Sequence, residues 1–402
     1  LKAERAAPEG GAVYATLAVP QIPRILSLVD RDPLSPTYGC FDKDYWHYKT
    51  ADFPSGMFQE CVLPLALVYQ HPIPGGEPYH KKERIKELVT AGIKYAARSS
   101  HQDGSTDDYY PFERALGASC FSLYGATEAC LELGLQDQGE IVEFFQRRGR
   151  WLLEHQESGR LSNHQALAGC CLENVYAITG DREYQDAAKE RVELTLGWQH
   201  EEGWFQEYEG ADPGYQTFTI NFLVKYYLRS GDESLLDPLR RAIEFSSYFV
   251  HPDGSYGGEY GSRNTAVFYP NGYEIMSAFE PRAAWIAEAF IKAVKDGKNA
   301  IIGDERLFFH FTGNYLEAFL NYNPKGRLCN AVGPMGDFTK HFPGAGLYVR
   351  NEGENYTVIS LSKGGVVKHF SNGKHALTDS GITGRLRNGK IAVTHHIDGH
   401  EA

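Results

Sequence analysis

The sequence predicts a mainly α protein, in which helical hairpins curl into an incomplete (α/α) toroid, followed by a short antiparallel β region. Three observations predict it. From about residue 56 to 322, helical stretches alternate with short glycine turns. The turns Asp103–Gly104, Ser158–Gly159, Glu202–Gly203 and Asp253–Gly254 recur roughly fifty residues apart, the length of an antiparallel helix pair with two connections. Polar and aromatic residues crowd just after each turn, as they would if the turns met at one rim around a cleft.

The helices are read from apolar residues recurring at three and four, as in Ile85, Leu88, Val89 and Ile93, or Leu167, Cys171, Val175 and Ile178. This pattern places helices at Phe58–Gln70, Lys82–Ser99, Leu116–Leu133, Gly139–His155 and His164–Thr179. It continues at Glu183–Gly197, Tyr215–Arg229, Leu235–Phe249, Arg282–Lys295 and Glu305–Leu320. Beyond about residue 330 the period changes to two. Gly344–Arg350, Tyr356–Ser362, Gly365–Phe370 and Lys390–His396 read as strands, with Asn-Gly among their turn signals. The expected organisation is therefore a helical unit at 1–325 and a β unit at 326–402, the latter reading as cut short.

Composition removes several functions. The 402 residues are 42% hydrophobic and 23% charged, which excludes wholesale disorder. No apolar run of about 18 residues is present, so no membrane-spanning helix is expected. Forty basic residues against 52 acidic ones, a net charge of −12, argue against a nucleic-acid partner, which needs a basic face. The seven cysteines are odd in number and include no C-x-x-C, which speaks against a structural zinc site. That count leans towards a reducing, cytoplasmic compartment and leaves a periplasmic or secreted one open. No phosphate loop, dinucleotide fingerprint, nucleophile elbow or H-E-x-x-H helix occurs, and neither cofactor nor metal is expected.

Chemistry is thus sought in the four segments after the turns. Asp103–Arg114 offers Asp107, Asp108, Tyr110 and an arginine, Arg114, able to hold a carboxylate bidentately. In Leu161–Gln165, Ser162 can cap a helix whose first turn carries Asn163 and His164, an amide and an imidazole suited to an anionic group. Trp204–Tyr215 contributes Glu207, Tyr208 and a tyrosine at a helix start, Tyr215, whose ordinary pKa near 10 suits an acid better than a base. Tyr256–Thr265 brings Glu259, Tyr260 and Arg263 in a glycine-rich run. Each segment also reads as a helix cap, a packing residue or a solvated loop.

The ordered set resembles the heparinase II/III-like polysaccharide lyases, a group that includes the oligoalginate lyases. It consists of Asn163–His164 at a helix start, then G-W-F-Q-E…P-G-Y-Q, then D-G-S-Y-G-G-E-Y-G-S-R-N-T, and a β region opening G-A-G-L-Y-V-R. The resemblance spans roughly residues 90–375. It implies an (α/α) toroid joined to an antiparallel β-sandwich, with an acidic polysaccharide or oligosaccharide cleaved by β-elimination at a uronic acid. It also implies that Asn163 and His164 neutralise the substrate carboxylate, with His164 a candidate base. Tyr215 would be the acid and a second candidate base, while Arg114 and Arg263 would hold substrate carboxylates. Tyr208, Tyr260 and Trp204 would be stacking surfaces, and Tyr110, Glu207 and Glu259 further substrate contacts.

The β region departs from the pattern. After Gly364–Gly365 the family carries a histidine-rich motif ending in aspartate; here His369 can stand for one histidine, but Val367 and Ser371 replace the other ligating types. His341 and His375 are available substitutes by position. Two other readings stay open at this point. A glycoside hydrolase would pair Asp107 or Asp108 with Glu207 or Glu259 across the cleft, and a non-catalytic glycan-binding protein would need neither.

Overall fold

The computed structural model describes residues 10–297, 306–327 and 332–394. The expected helix start at Glu305, Cys329 and the end of the strand expected at Lys390–His396 lie outside these residues. In chain order the helices are α1 (Ala12–Ala18), α2 (Ile22–Leu28), α3 (Val62–Gln70), α4 (Glu83–Ser99), α5 (Leu116–Leu133), α6 (Gly139–Glu154), α7 (Ser162–Thr179) and α8 (Arg182–Gly197). There follow α9 (Pro213–Ser230), α10 (Leu236–Ser247), α11 (Asn271–Met276), α12 (Pro281–Lys295) and α13 (Phe308–Asn321). The strands are β1 (Gln206–Glu207), β2 (Gly210–Ala211), β3 (Phe338–Phe342), β4 (Leu347–Glu352) and β5 (Asn355–Ser360), then β6 (Val366–Ser371), β7 (Lys374–Asp379), β8 (Thr383–Arg385) and β9 (Ile391–Val393).

Two kinds of helix build the ring. α4, α6 and α10 bury one stripe only, for example Ile85, Leu88, Val89, Ile93 and Ala96 of α4. α5, α7 and α9 are buried almost all round, from Leu116 to Cys130 in α5 with few gaps. A one-sided helix belongs on the outside of a layer and an all-round apolar one inside it. The inner layer is α3, α5, α7, α9, α11 and α13, each packed on the next and α13 returning to α3. Outside them lie α4, α6, α8, α10, α12 and α1. The sequence leaves this barrel incomplete; the structure closes its inner layer. The missing pieces were α1 and α11, of seven and six residues, too short to display a helical period.

α5, α7 and α9 start at one rim, whereas α11 begins deeper, its first residue Asn271 bonded to Asn221 of α9 and Asn314 of α13. Asp212 shapes the start of α9 by accepting the Tyr215 N–H at 3.0 Å, with Pro213 in the first turn, so the helix begins two residues before its expected start. α7 likewise begins at Ser162. Ser162 is not its cap: the Ser162 hydroxyl donates to the Gln206 carbonyl at 2.7 Å.

β3 to β7 form an antiparallel meander in sequence order, and β8–β9 a separate hairpin. Among the described residues this is one sheet and a hairpin rather than two stacked sheets. Phe342, Val349, Tyr356, Val358 and Phe370 are buried on one face. That face rests on the toroid. Phe342 packs edge-on to Phe245 at 4.9 Å, Phe370 stacks on His251 at 4.7 Å, and the Tyr356 hydroxyl donates to the Tyr248 carbonyl. No helix of the described residues is long and apolar enough to cross a membrane.

Candidate active site

The first turns of neighbouring inner helices α7 and α9 are tied together by the β1–β2 hairpin. Glu207, on β1, is wholly buried and faces Asn163. The Asn163 backbone N–H donates to its Oε1 at 2.7 Å and Asn163 Nδ2 to its Oε2 at 2.7 Å, while the Thr219 hydroxyl of α9 also reaches Oε1 at 3.2 Å. Burial pushes the Glu207 carboxyl up to about 8, against the pull of the Asn163 hydrogen bonds. At neutral pH it is therefore largely protonated. Asn163 Oδ1 is buried without a partner.

His164 sits beside Asn163, half-buried, with Phe121 edge-on at 6.3 Å. Its Nδ1 lies 2.7 Å from Glu157 Oε2. The hydrogen bond to His164 holds Glu157 below the usual carboxylate range, so Glu157 is an acceptor there. Nδ1 must then carry the proton, which leaves Nε2 as the basic nitrogen.

Tyr215 follows on α9, half-buried between Tyr208 at 6.3 Å and Phe218 at 5.7 Å. Burial pushes its phenol up to about 12, with Tyr208 adding to the shift and Arg263 opposing it. Tyr208 occupies the β1–β2 turn with a left-handed φ of 53°, and the exposed Arg263 guanidinium lies 3.9 Å over its ring. Burial raises the Tyr208 phenol against the pull of Arg263, and the Tyr208 backbone N–H donates to the Arg160 carbonyl at 3.1 Å, which ties it to the turn that carries Glu157. His164 with its carboxylate, Tyr208, Tyr215 and Arg263 therefore share one rim.

Other expected contacts lie elsewhere. Trp204 is buried against His200 at 4.8 Å and donates to Glu202, which itself accepts the Gly344 and Ala345 N–H groups of the β3–β4 turn. Tyr260 is buried on Phe249, with its hydroxyl 2.9 Å from His251 Nε2. Both belong to the seam between toroid and sheet, and neither ring is open for a sugar to stack on. Glu207, being wholly enclosed, is likewise no direct substrate contact. Glu259 pairs with Lys368 at 2.9 Å, which keeps its carboxylate low although burial opposes this. Arg114 is exposed at the rim and bound to Asp103, and Tyr110 is exposed beside it.

His369 requires the clearest correction. Val366, Lys368 and Phe370 alternate onto the face of β6 that meets the helices, so His369 stands on the opposite face, where its Nδ1 meets the Thr357 hydroxyl at 2.8 Å. The strand's period of two turns it away from Tyr215. His341 and His375 are exposed on β3 and β7 and make no contact with the rim residues.

Sequence reasoning missed Glu157, which lies in a Glu-Ser-Gly-Arg turn with no motif of its own. It also missed Lys363, whose buried ammonium donates to the Glu259 carbonyl at 3.1 Å, the Gly261 carbonyl at 3.0 Å and Asn264 Oδ1. That lysine fastens the Arg263 loop to the sheet.

Fold and rim together define an (α/α) toroid with an antiparallel sheet seated beside the N-terminal ends of its inner helices. Solved structures share this fold. Cellobiose 2-epimerase from Bacillus thermoamylovorans B4167 matches with a TM-score of 0.54 at 12% identity, covering 75% of this chain and 98% of that one. Unsaturated glucuronyl hydrolase from Streptococcus agalactiae matches with a TM-score of 0.51 at 11% identity, covering 79% and 93%. Heparinase III matches with a TM-score of 0.52 at 13% identity, covering 94% of this chain and 59% of that one. No family model matches the chain, nor does any curated protein.

Proposed function

We propose that this protein is a glycan-active enzyme, and specifically a lyase that cleaves uronate-containing glycans by β-elimination. The reading rests on a carboxylate-held imidazole, His164, and a protonated phenol, Tyr215, in the first turns of adjacent inner helices, with Tyr208 beside Tyr215 and the Arg263 guanidinium stacked on Tyr208. In this reading His164 Nε2 removes the proton at C5 of the uronate. Electrons move into a C4–C5 double bond, the C4–O bond breaks, and Tyr215 gives its hydroxyl proton to the departing oxygen. A phenol held at about 12 keeps its proton at neutral pH, which suits the acid and not the base.

C5 becomes acidic only when the neighbouring carboxylate is neutralised. Arg263 supplies charge for that. Asn163 is as buried as Glu207, so its part is to fix the first turn of α7 through its two hydrogen bonds to that carboxyl rather than to touch the substrate. The fold supports the reading as well, since the heparinase III match takes in the sheet and not only the helices.

Hydrolysis is less well served. Its two carboxyl groups must face the substrate about 5–9.5 Å apart. Asp107 already accepts from His101 and from two backbone N–H groups, Asp108 holds Ser55 and Arg306, and Glu207 is enclosed. The test is incubation with a panel of uronate polymers and oligosaccharides, following the ultraviolet absorbance of the unsaturated product. New reducing ends without that absorbance would replace this reading with hydrolysis; folded protein inert on the whole panel would remove it.

A further inference from the structure

The loop before α5 is built in an unusual way. Asp107 accepts the backbone N–H groups of Phe112 at 2.8 Å and Arg114 at 2.9 Å, and Glu113 accepts those of Asp108, Tyr109 and Tyr110 at 3.1, 2.8 and 3.3 Å. Two side-chain carboxylates thus do the work usually left to a hydrogen-bonded ladder. They hold Phe112 and Arg114, neither a glycine, in the left-handed region at φ 62° and 52°.

What this strained loop presents is aromatic. Tyr109, Tyr110 and Phe112 are 64%, 70% and 79% exposed, three large rings within four positions turned to solvent. The loop runs directly into α5, where Gly117 packs so closely on His164 that a Cβ there would lie 3.0 Å from the imidazole, and the Arg306 guanidinium lies 4.3 Å over the Tyr109 ring. A ring kept exposed at the cost of backbone strain is arranged for a ligand, and a sugar's C–H face is the ligand such rings take.

We propose that Tyr109, Tyr110 and Phe112 form a stacking ledge that holds further sugar units of the glycan whose uronate lies between His164 and Tyr215. This rests on the lyase reading for the position of that uronate, but the ledge is a binding site in its own right. It makes the preferred substrate an oligosaccharide or polymer rather than a disaccharide.

The test uses Tyr215→Phe protein, so that bound glycan is not consumed, and calorimetry with uronate oligosaccharides from disaccharide to hexasaccharide. Affinity is expected to rise with length. The pair Tyr109→Ser with Phe112→Ser should reduce the hexasaccharide-to-disaccharide affinity ratio about tenfold, the scale of one or two aromatic contacts. Phe112→Ser alone serves as a second variant and should give part of the loss. A ratio equal to the parent's, no rise with length in the parent, or no binding of any uronate oligosaccharide overturns the ledge. If the ratio falls as expected while unsubstituted protein makes no unsaturated product, the ledge stands and the lyase reading falls.

Discussion

Glu157 holds His164 through Nδ1 at 2.7 Å, across a turn that separates them by seven residues. The carboxylate selects the imidazole tautomer and orients the ring, so its loss should act through His164. His164→Ala is expected to lower turnover at least about a hundredfold, the usual contribution of a general base. Glu157→Gln should lose less, because the amide oxygen can still accept from Nδ1. The pair also carries a pH signature. Glu157 is held below its unfolded value, so its stabilisation is present above about pH 4 and fades as pH falls through the lower folded value. Thermal melts in acid should show Glu157→Gln losing less stability than the parent on acidification.

Tyr215→Phe removes the proton donor and leaves the ring against Tyr208 and Phe218. Product formation is expected to drop about a hundredfold or more, with substrate affinity changed little. Initial rates by ultraviolet absorbance, set beside calorimetric affinity, would check it. A variant with near-normal turnover would show that another group protonates the leaving oxygen.

Glu207 predicts a stability slope of the opposite sign. Its folded value of about 8 lies above the roughly 4.3 of an unfolded glutamate. Between them the native state binds more protons, so stability should decline as pH rises from about 4.3 to 8. Glu207→Gln mimics the protonated carboxyl, accepting the Asn163 N–H and offering an N–H to Oδ1. Urea titrations across that range should find the decline flattened in the variant.

Far from this rim, near the opposite ends of the inner helices, Lys225 lies between Glu128 at 2.9 Å and Glu317 at 2.7 Å. Burial works against its charge, but the two carboxylates hold the proton on it. Lys225→Met leaves Glu317 without a cation and Glu128 with Arg229 alone, and is expected to cost about 3 kcal/mol, read from denaturant unfolding. Where the variant is folded, its turnover should match the parent's.

Which parts were legible follows from the range of the forces involved. The long helices were readable because burying one face repeats every three or four residues, and α5 was placed to the residue at Leu116–Leu133. α1 and α11 were not, because tertiary packing rather than local pattern makes such short helices stable. Asn163, His164 and Tyr215 stand out in the sequence through their order and their places at helix starts, and the structure has them in the first turns of α7 and α9. Glu157 had no comparable signal, and His369 was misplaced because a motif reading counts residues without asking which face of β6 each one takes.

By itself the chain's pattern of apolar spacing and turns determined a ring of helical hairpins, its approximate element bounds and the rim on which polar residues gather. These are local properties, set by which faces each segment must bury. Only the tertiary structure decided which of those polar residues remain usable. Trp204, Tyr260 and Glu207 were drawn into packing or burial, and Lys368 rather than His369 was turned towards the helices. Accessibility and hydrogen-bond partnership depend on what segments distant in the chain bring alongside, and no residue's own neighbours encode that.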